Sequence, residues 1–171
     1  MTEQKPRSPD ARPPGDGGRP TDALTPVLAP LIEILRGVDV KNAKAAVALL
    51  NEKAPLSGTL IKGIRAAAEK GLVAGWLLPK EQAGVRFGRV AKDLDGFSVD
   101  AVLMTTPGPE HMHPNGEIDL CFARSGTPKF DGHGEGWVVY GPGSRHVPTV
   151  TGGEMLILYF LPGGAIEFVK K

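Results

Sequence analysis

The apolar periodicity of this chain changes once, at Leu77-Leu78-Pro79, and that change constrains the fold more than any other feature. Before it, large apolar side chains recur at three- and four-residue steps, the period of a helix with one buried stripe. Leu24, Val27, Leu28, Leu31, Ile32, Leu35 and Val38 form a first stripe. Ala43, Ala46, Val47 and Leu50 form a second that ends before Pro55, and Leu60, Ile61, Ile64, Ala67 and Ala68 a third. Pro26 suits a first turn, whereas Pro30 is expected to kink or divide the first helix. Ser57 is the expected N-cap of the third helix and Gly71 its stop. After the change, β-rich runs alternate with Gly, Pro and Asp, and strands are expected near 85–91, 97–106, 117–123, 137–140, 145–150, 154–161 and 165–169. Thr151-Gly152-Gly153-Glu154 reads as a hairpin turn. No crossover helix separates these runs, which disfavours a doubly wound parallel sheet and points to an antiparallel sandwich or barrel. The expected class is α+β: a helical segment at 21–78, then an antiparallel β-barrel at 79–171.

Composition narrows the function. The length of 171 residues fits one domain, and the 23 glycines and 16 prolines are unevenly placed. Pro6, Pro9, Pro13, Pro14 and Pro20 crowd the first 20 residues, which carry almost no large apolar side chain, so 1–20 is expected to be a disordered tail. The formal charge is +1, which provides no electrostatic footprint for nucleic acid or an anionic membrane. No apolar run approaches the roughly 18 residues of a membrane-spanning helix. Cys121 is the single cysteine, and the opening Met-Thr-Glu-Gln-Lys-Pro has no apolar stretch like that of a signal peptide; a cytoplasmic location is expected. No phosphate-loop or dinucleotide pattern occurs, so no nucleotide cofactor is expected. Exposed sheet edges make a homodimer reasonable, with the helices either mediating it or covering one mouth of the barrel.

The densest polar cluster is Glu110-His111-Met112-His113-Pro114-Asn115-Gly116-Glu117-Ile118-Asp119. On a strand, His111 and His113 share one face, and the Pro114-Asn115-Gly116 turn returns Glu117 beside them. His146 follows the glycine-rich turn Gly141-Pro142-Gly143 and is the fourth candidate. Neutral imidazoles with one carboxylate suit a divalent ion such as Zn, Fe, Mn, Co or Ni, and four protein ligands leave one or two positions open in five- or six-coordinate geometry. The expected metal ligands are His111, His113, Glu117 and His146.

These two segments resemble the paired motifs of the cupin superfamily of small β-barrels. His111, His113 and Glu117 match the first, His-x-His followed after three residues by Glu; Gly141 through His146 match the second, with Gly141 at the proline position. The family's leading glycine is absent at Thr105, and its later Asn falls at Val150. The helical first half, together with Gly84-Val85-Arg86-Phe87, His111 through Cys121 and Arg145 through Phe160, resembles the bacterial 4-hydroxylaminobenzoate lyase family over roughly residues 22–170. That resemblance implies conversion of 4-hydroxylaminobenzoate to 3,4-dihydroxybenzoate (protocatechuate) and ammonium in nitrobenzoate degradation. Two other readings stay open: a cupin dioxygenase or isomerase acting on another small aromatic or carbonyl acid, and a non-catalytic ligand-binding sensor.

The lyase reaction needs an acid, a positioned water and an anchor for the substrate's carboxylate. Asp119, Glu110, His133 and Glu135 are the candidate acids; Asp119 shares strand parity with Glu117, where burial would favour its protonated form. His133 and Glu135 lie in a glycine-rich loop that could close over substrate. Arg86, Arg89 and Arg145 can supply a guanidinium for the carboxylate, and Arg86 and Arg145 are preferred, one embedded among strand residues and one beside a ligand. Tyr140, with Phe87, Trp137 and Tyr159, is a candidate for the substrate pocket, and Cys121 reads as inward packing.

Overall fold

The computed structural model describes residues 20–169; the segment before Pro20, where almost all of the expected tail falls, and the last two residues lie outside the described residues. A short 3-10 turn at Pro20–Ala23 leads into α1 (Thr25–Arg36), α2 (Ala43–Lys53) and α3 (Thr59–Ala74). Nine strands follow: β1 (Lys80–Gln82), β2 (Val85–Leu94), β3 (Phe97–Met104), β4 (His111–His113), β5 (Glu117–Phe130), β6 (Gly136–Tyr140), β7 (Ser144–His146), β8 (Val150–Pro162) and β9 (Glu167–Phe168).

The first stripe buries Leu24, Leu28, Leu31, Ile32 and Leu35. Contrary to expectation, Pro30 does not divide α1, which continues through it to Arg36. Pro30 and Pro26 are both exposed, so the carbonyl that loses its i→i−4 partner is on the solvent side and the buried stripe is untouched. Asn42 caps α2 by accepting from Ala45 N–H at 3.2 Å. On α3 two expectations are corrected. Gly58, not Ser57, holds the N-cap position, and the helix runs past Gly71 to a left-handed Gly75 with φ of 88°. Gly71 instead makes room for packing, since a Cβ there would lie 2.7 Å from the Trp76 ring.

The strands form a six-stranded sheet in the order β1-β2-β3-β8-β5-β6 and a three-stranded sheet in the order β7-β4-β9, with antiparallel pairing throughout. The two sheets form the walls of a cup, without closing into one hydrogen-bonded barrel. Strand alternation gives the large sheet two chemically distinct faces. Ile118, Leu120, Phe122, Leu156, Leu158, Phe160, Val99, Ala101 and Leu103 join the buried helix residues in one core, so the helices cover the outer face of the sheet. Trp137 Nε1–H donates to Ala54 O at 2.8 Å and pins the end of α2 to β6. The inner face carries Cys121, Met155, Ile157, Tyr159, Met104 and Val138, a second core beneath the small sheet.

Strand limits differ where turn chemistry was misread. β5 and β8 extend to Phe130 and back to Val150 as one long pair. Thr151-Gly152-Gly153-Glu154 is therefore strand and not a hairpin turn. Gly153 lies against a bulge in β5, where a Cβ would sit 2.0 Å from Ser125 O. The run at 145–150 is interrupted after His146, because Pro148 has no N–H for a ladder and Thr149 N–H donates to Asp131. β1 was not anticipated; it pairs with β2 across Ala83 and Gly84, both at positive φ.

Candidate metal centre and its surroundings

β4 lies between β7 and β9, with His111 directly opposite His146. His111 and His113 are buried and face the cup; Met112 alternates away. The turn that follows is closed by Gly116 N–H donating to His113 O at 3.2 Å, and Gly143 N–H donates to the same carbonyl at 2.7 Å. One backbone oxygen thus fastens both motifs. Gly116 has φ of 85°, and a Cβ on it would meet Tyr140 O at 2.7 Å, so this turn requires glycine.

Three imidazole nitrogens and one carboxylate oxygen converge. His146 Nε2 lies 3.1 Å from both His111 Nε2 and His113 Nε2. Glu117 Oε2 lies 3.1 Å from His113 Nε2 and 3.4 Å from His146 Nε2. All four donor atoms fall within 4.8 Å of one another. Donors about 2.0–2.2 Å from a common centre must be about this far apart. Hydrogen bonds account poorly for the arrangement: Glu117 Oε2 is buried without an aligned donor, and facing imidazole nitrogens can share only one proton. These four residues could hold a metal ion.

The surrounding contacts orient the ligands. His111 Nδ1 lies 3.1 Å from Pro109 O and His146 Nδ1 2.7 Å from Asp131 Oδ2, contacts that place a proton on Nδ1 and turn each Nε2 toward the cluster. Burial pushes His111 down to about 4, against the attraction of Glu117. Burial also opposes charge on His146, but the carboxylates of Asp131 and Glu117 prevail and raise it to about 9. Glu117 is pushed up by burial, yet the neighbouring His113 and His146 hold it below the usual carboxylate range. Asp119 moves the other way: burial first, then the charges of Glu117 and Asp131, raise it well above an ordinary carboxylic acid. Both of its oxygens are buried without a partner.

The other anticipated residues are dispersed. Asp119 is on the central strand β5, opposite Tyr159 and Val138 on the inner face, and not at a sheet edge. Glu110 precedes β4, half-buried and on the opposite parity from His111. His133 is exposed, and its loop is clasped to Phe130 by paired backbone bonds of 2.7 and 2.8 Å. Glu135 accepts from Ala123 N–H at 3.0 Å and pairs with Arg65 at 3.1 Å, away from the cluster. Arg86 stands opposite Leu103 on the helix-covered face, and Arg145 is exposed on the parity opposite His146. Tyr140 donates to Asp131 Oδ2 at 2.5 Å, and its ring lies 4.4 Å from that of His146, so it braces the site. Trp137 belongs to the helix-side core; Cys121 is buried on the inner face.

Asp131 was missed by sequence reasoning. Its signal was an Asp-Gly pair at the end of a β-run, a turn whose carboxylate is free to reach a neighbouring strand. It receives His146 Nδ1–H, Tyr140 O–H and Thr149 N–H together. Asp131→Asn leaves one acceptor oxygen where these donors use two, Oδ1 for Thr149 and Oδ2 for His146 and Tyr140, and removes the charge behind His146. It is expected to weaken divalent-metal binding about 10–100-fold with the fold retained, as read by chelator competition and circular dichroism.

A helix-covered double-sheet cup with a buried His-x-His…Glu…His cluster defines a cupin-like protein. The chain belongs to the family described as PnbB, 4-hydroxylaminobenzoate lyase, whose model matches residues 30–168. A 4-hydroxylaminobenzoate lyase of Nocardioides sp. (strain LMS-CY) is 28% identical over 86% of this chain and 91% of its own length. One of Pseudomonas putida is also 28% identical, over 80% of this chain and 90% of its own. Among solved structures, an RmlC-like cupin protein of Ralstonia eutropha JMP134 matches with a TM-score of 0.41 at 15% identity, over 53% of this chain and 62% of that one. Among the described residues no helix is long and apolar enough to cross a membrane.

Proposed function

We propose that the protein converts 4-hydroxylaminobenzoate to 3,4-dihydroxybenzoate and ammonium, using one divalent ion held by His111, His113, Glu117 and His146. The observation that carries this reading is the buried convergence of those four donors beside Asp119, a buried carboxyl whose pKa burial pushes well above the ordinary carboxylic-acid range. Membership of a family described as 4-hydroxylaminobenzoate lyase supports this choice of substrate. A divalent ion bound there supplies Lewis-acid chemistry toward an oxygen of substrate or water.

The chain's own residues account for the rest. As the N–O bond breaks, Asp119 gives a proton to the departing hydroxyl, which leaves as water. One water then adds to the ring carbon adjacent to the one that bears nitrogen, its released proton returning to Asp119. A second water replaces nitrogen at the resulting imine, and shift of the hydrogen from the hydroxylated carbon to the new carbonyl oxygen restores the aromatic ring. The sum consumes one water and releases one ammonia; nitrogen is reduced as ring carbon is oxidised, so no external oxidant or reductant enters. The apolar lining of the inner face, Val138, Ile157 and Tyr159, keeps bulk water from the reactive ring.

The test is an assay of purified protein with its metal content measured. Metal-replete protein given 4-hydroxylaminobenzoate under anaerobic conditions is expected to release ammonium and 3,4-dihydroxybenzoate in equal amounts. Absence of both products from protein carrying one metal per chain overturns the assignment, and a requirement for dioxygen favours the dioxygenase reading.

A further inference from the structure

We propose that Arg89, held by Asp100, is the anchor for the carboxylate of an aromatic acid in the cup; the identity of that acid as substrate rests on the lyase reading above. The register of the large sheet carries the inference. Asp119 pairs with Tyr159, Tyr159 with Asp100, and Asp100 with Arg89, so these four side chains form one row across β5, β8, β3 and β2. Directly paired residues share a face, which places Arg89 on the face of Glu117 and Asp119. Immediately after it, the register shifts between Arg89 and Ala91, and both Val90 and Ala91 pack into the helix-side core. This bulge ends the strict alternation of β2 just beyond Arg89.

The other described arginines are committed elsewhere. Arg86 faces the helices, and Arg145 is exposed on the parity opposite His146. Arg65 pairs with Glu135, Arg124 with Glu69 and Glu154, and Arg36 with Glu33. Arg89 also meets a carboxylate, but in a way that leaves a recognition edge open. Its Nε–H donates to Asp100 Oδ1 at 2.8 Å and its Nη2–H to Asp100 Oδ2 at 3.3 Å. That uses the side of the guanidinium. The Nη1–Nη2 end, which can take a second carboxylate through two parallel bonds, remains open, while Asp100 fixes the plane of the group.

Exposure along the inner face places the mouth of the cup here. Glu117, Asp119, Cys121, Ile157 and Tyr159 on β5 and β8 are buried, whereas Phe87 and Val102 are half-buried and Arg89 is exposed. Three strand spacings of about 4.8 Å separate the backbones of Asp119 and Arg89, roughly 14 Å in all. An inward-leaning arginine and a benzoate with a para substituent fill such a span, with Phe87 and Val102 along the ring.

The decisive experiment measures 4-aminobenzoate binding to the metal-loaded full chain by calorimetry, together with turnover of 4-hydroxylaminobenzoate and of uncharged phenylhydroxylamine. Arg89→Ala is expected to weaken 4-aminobenzoate binding on the order of 30-fold or more and to raise KM for the acid similarly, and Arg89→Lys to lose roughly 10-fold. Turnover of phenylhydroxylamine should match wild type in both variants. Lys80→Ala, on the same face one strand further out, is expected to bind like wild type. Binding within threefold of wild type in Arg89→Ala overturns the proposal. Equal losses with the charged and uncharged substrates also overturn it, by showing a structural role. Should wild-type protein bind 4-aminobenzoate through Arg89 yet release no ammonium, the anchor stands and the lyase reading fails.

Discussion

Replacing His111 and His113 together with alanine is expected to remove the bound divalent metal from purified protein and to lower ammonium release from 4-hydroxylaminobenzoate on the order of 10³-fold or more. The two imidazoles supply half of the converging donors, and losing them leaves Glu117 and His146, whose closest atoms are 3.4 Å apart. Two donors hold a borderline ion poorly, so metal content measured after dialysis should fall from one per chain to near zero. The single variants should each cost almost as much as the pair, because groups that act as one unit are strongly non-additive. Folding should survive: the sites lie on the three-residue strand β4 in the small sheet, while the main core runs between the helices and the other face of the large sheet. A melting temperature within a few degrees of wild type, combined with lost metal and lost turnover, is the expected pattern. Retained turnover in metal-free protein would refute the metal-dependent reading, whereas retained 4-aminobenzoate affinity with no wild-type turnover would favour a sensor.

Much of this site was legible because its spacing is local. A period of two sets His111 beside His113, and the three residues between His113 and Glu117 contain a turn whose Gly116 has no substitute against Tyr140 O. The same period placed Asp119 and Cys121 on the side of Glu117, where both are buried. The helical stripe was equally plain, since Leu28, Leu31, Ile32 and Leu35 follow one period and all reach the core. What could not be read depends on pairing between distant segments. Arg89 faces inward because β2 meets β3 in one register, and one residue of slip would have exchanged it with Arg86. Asp131 reaches His146 only because the β5–β6 connection folds back over β7. Gly152 and Gly153 look like a turn in isolation, yet a bulged partner strand makes them part of β8. Pro30 warns of a broken helix, but a lost hydrogen bond matters less on an exposed face than on a buried one.

Asp119→Asn is expected to lower kcat by about 10²–10⁴-fold with KM and metal content close to wild type, the scale of losing a well-placed general acid. The amide matches the carboxylic acid in shape and can still donate a hydrogen bond, but it has no proton to transfer to a departing hydroxyl. Stability provides a separate check of the protonation state. The folded-state pKa of Asp119 is raised, chiefly by burial. Above the ordinary Asp value of about 3.9 the unfolded chain releases this proton while the folded chain keeps it. The group therefore costs folded stability as pH rises from that value toward the folded pKa, and the cost is absent below it. In metal-free protein, Asp119→Asn should unfold at a higher denaturant concentration than wild type at pH 7, and the difference should shrink as pH falls toward 3. Asparagine lacks this titration, so the convergence at low pH isolates the carboxyl group from any change in packing. If kcat is unchanged while the stability difference follows this course, Asp119 is a buried neutral acid without a role in proton transfer, and the acid must be sought among groups that approach the cup only when substrate is bound.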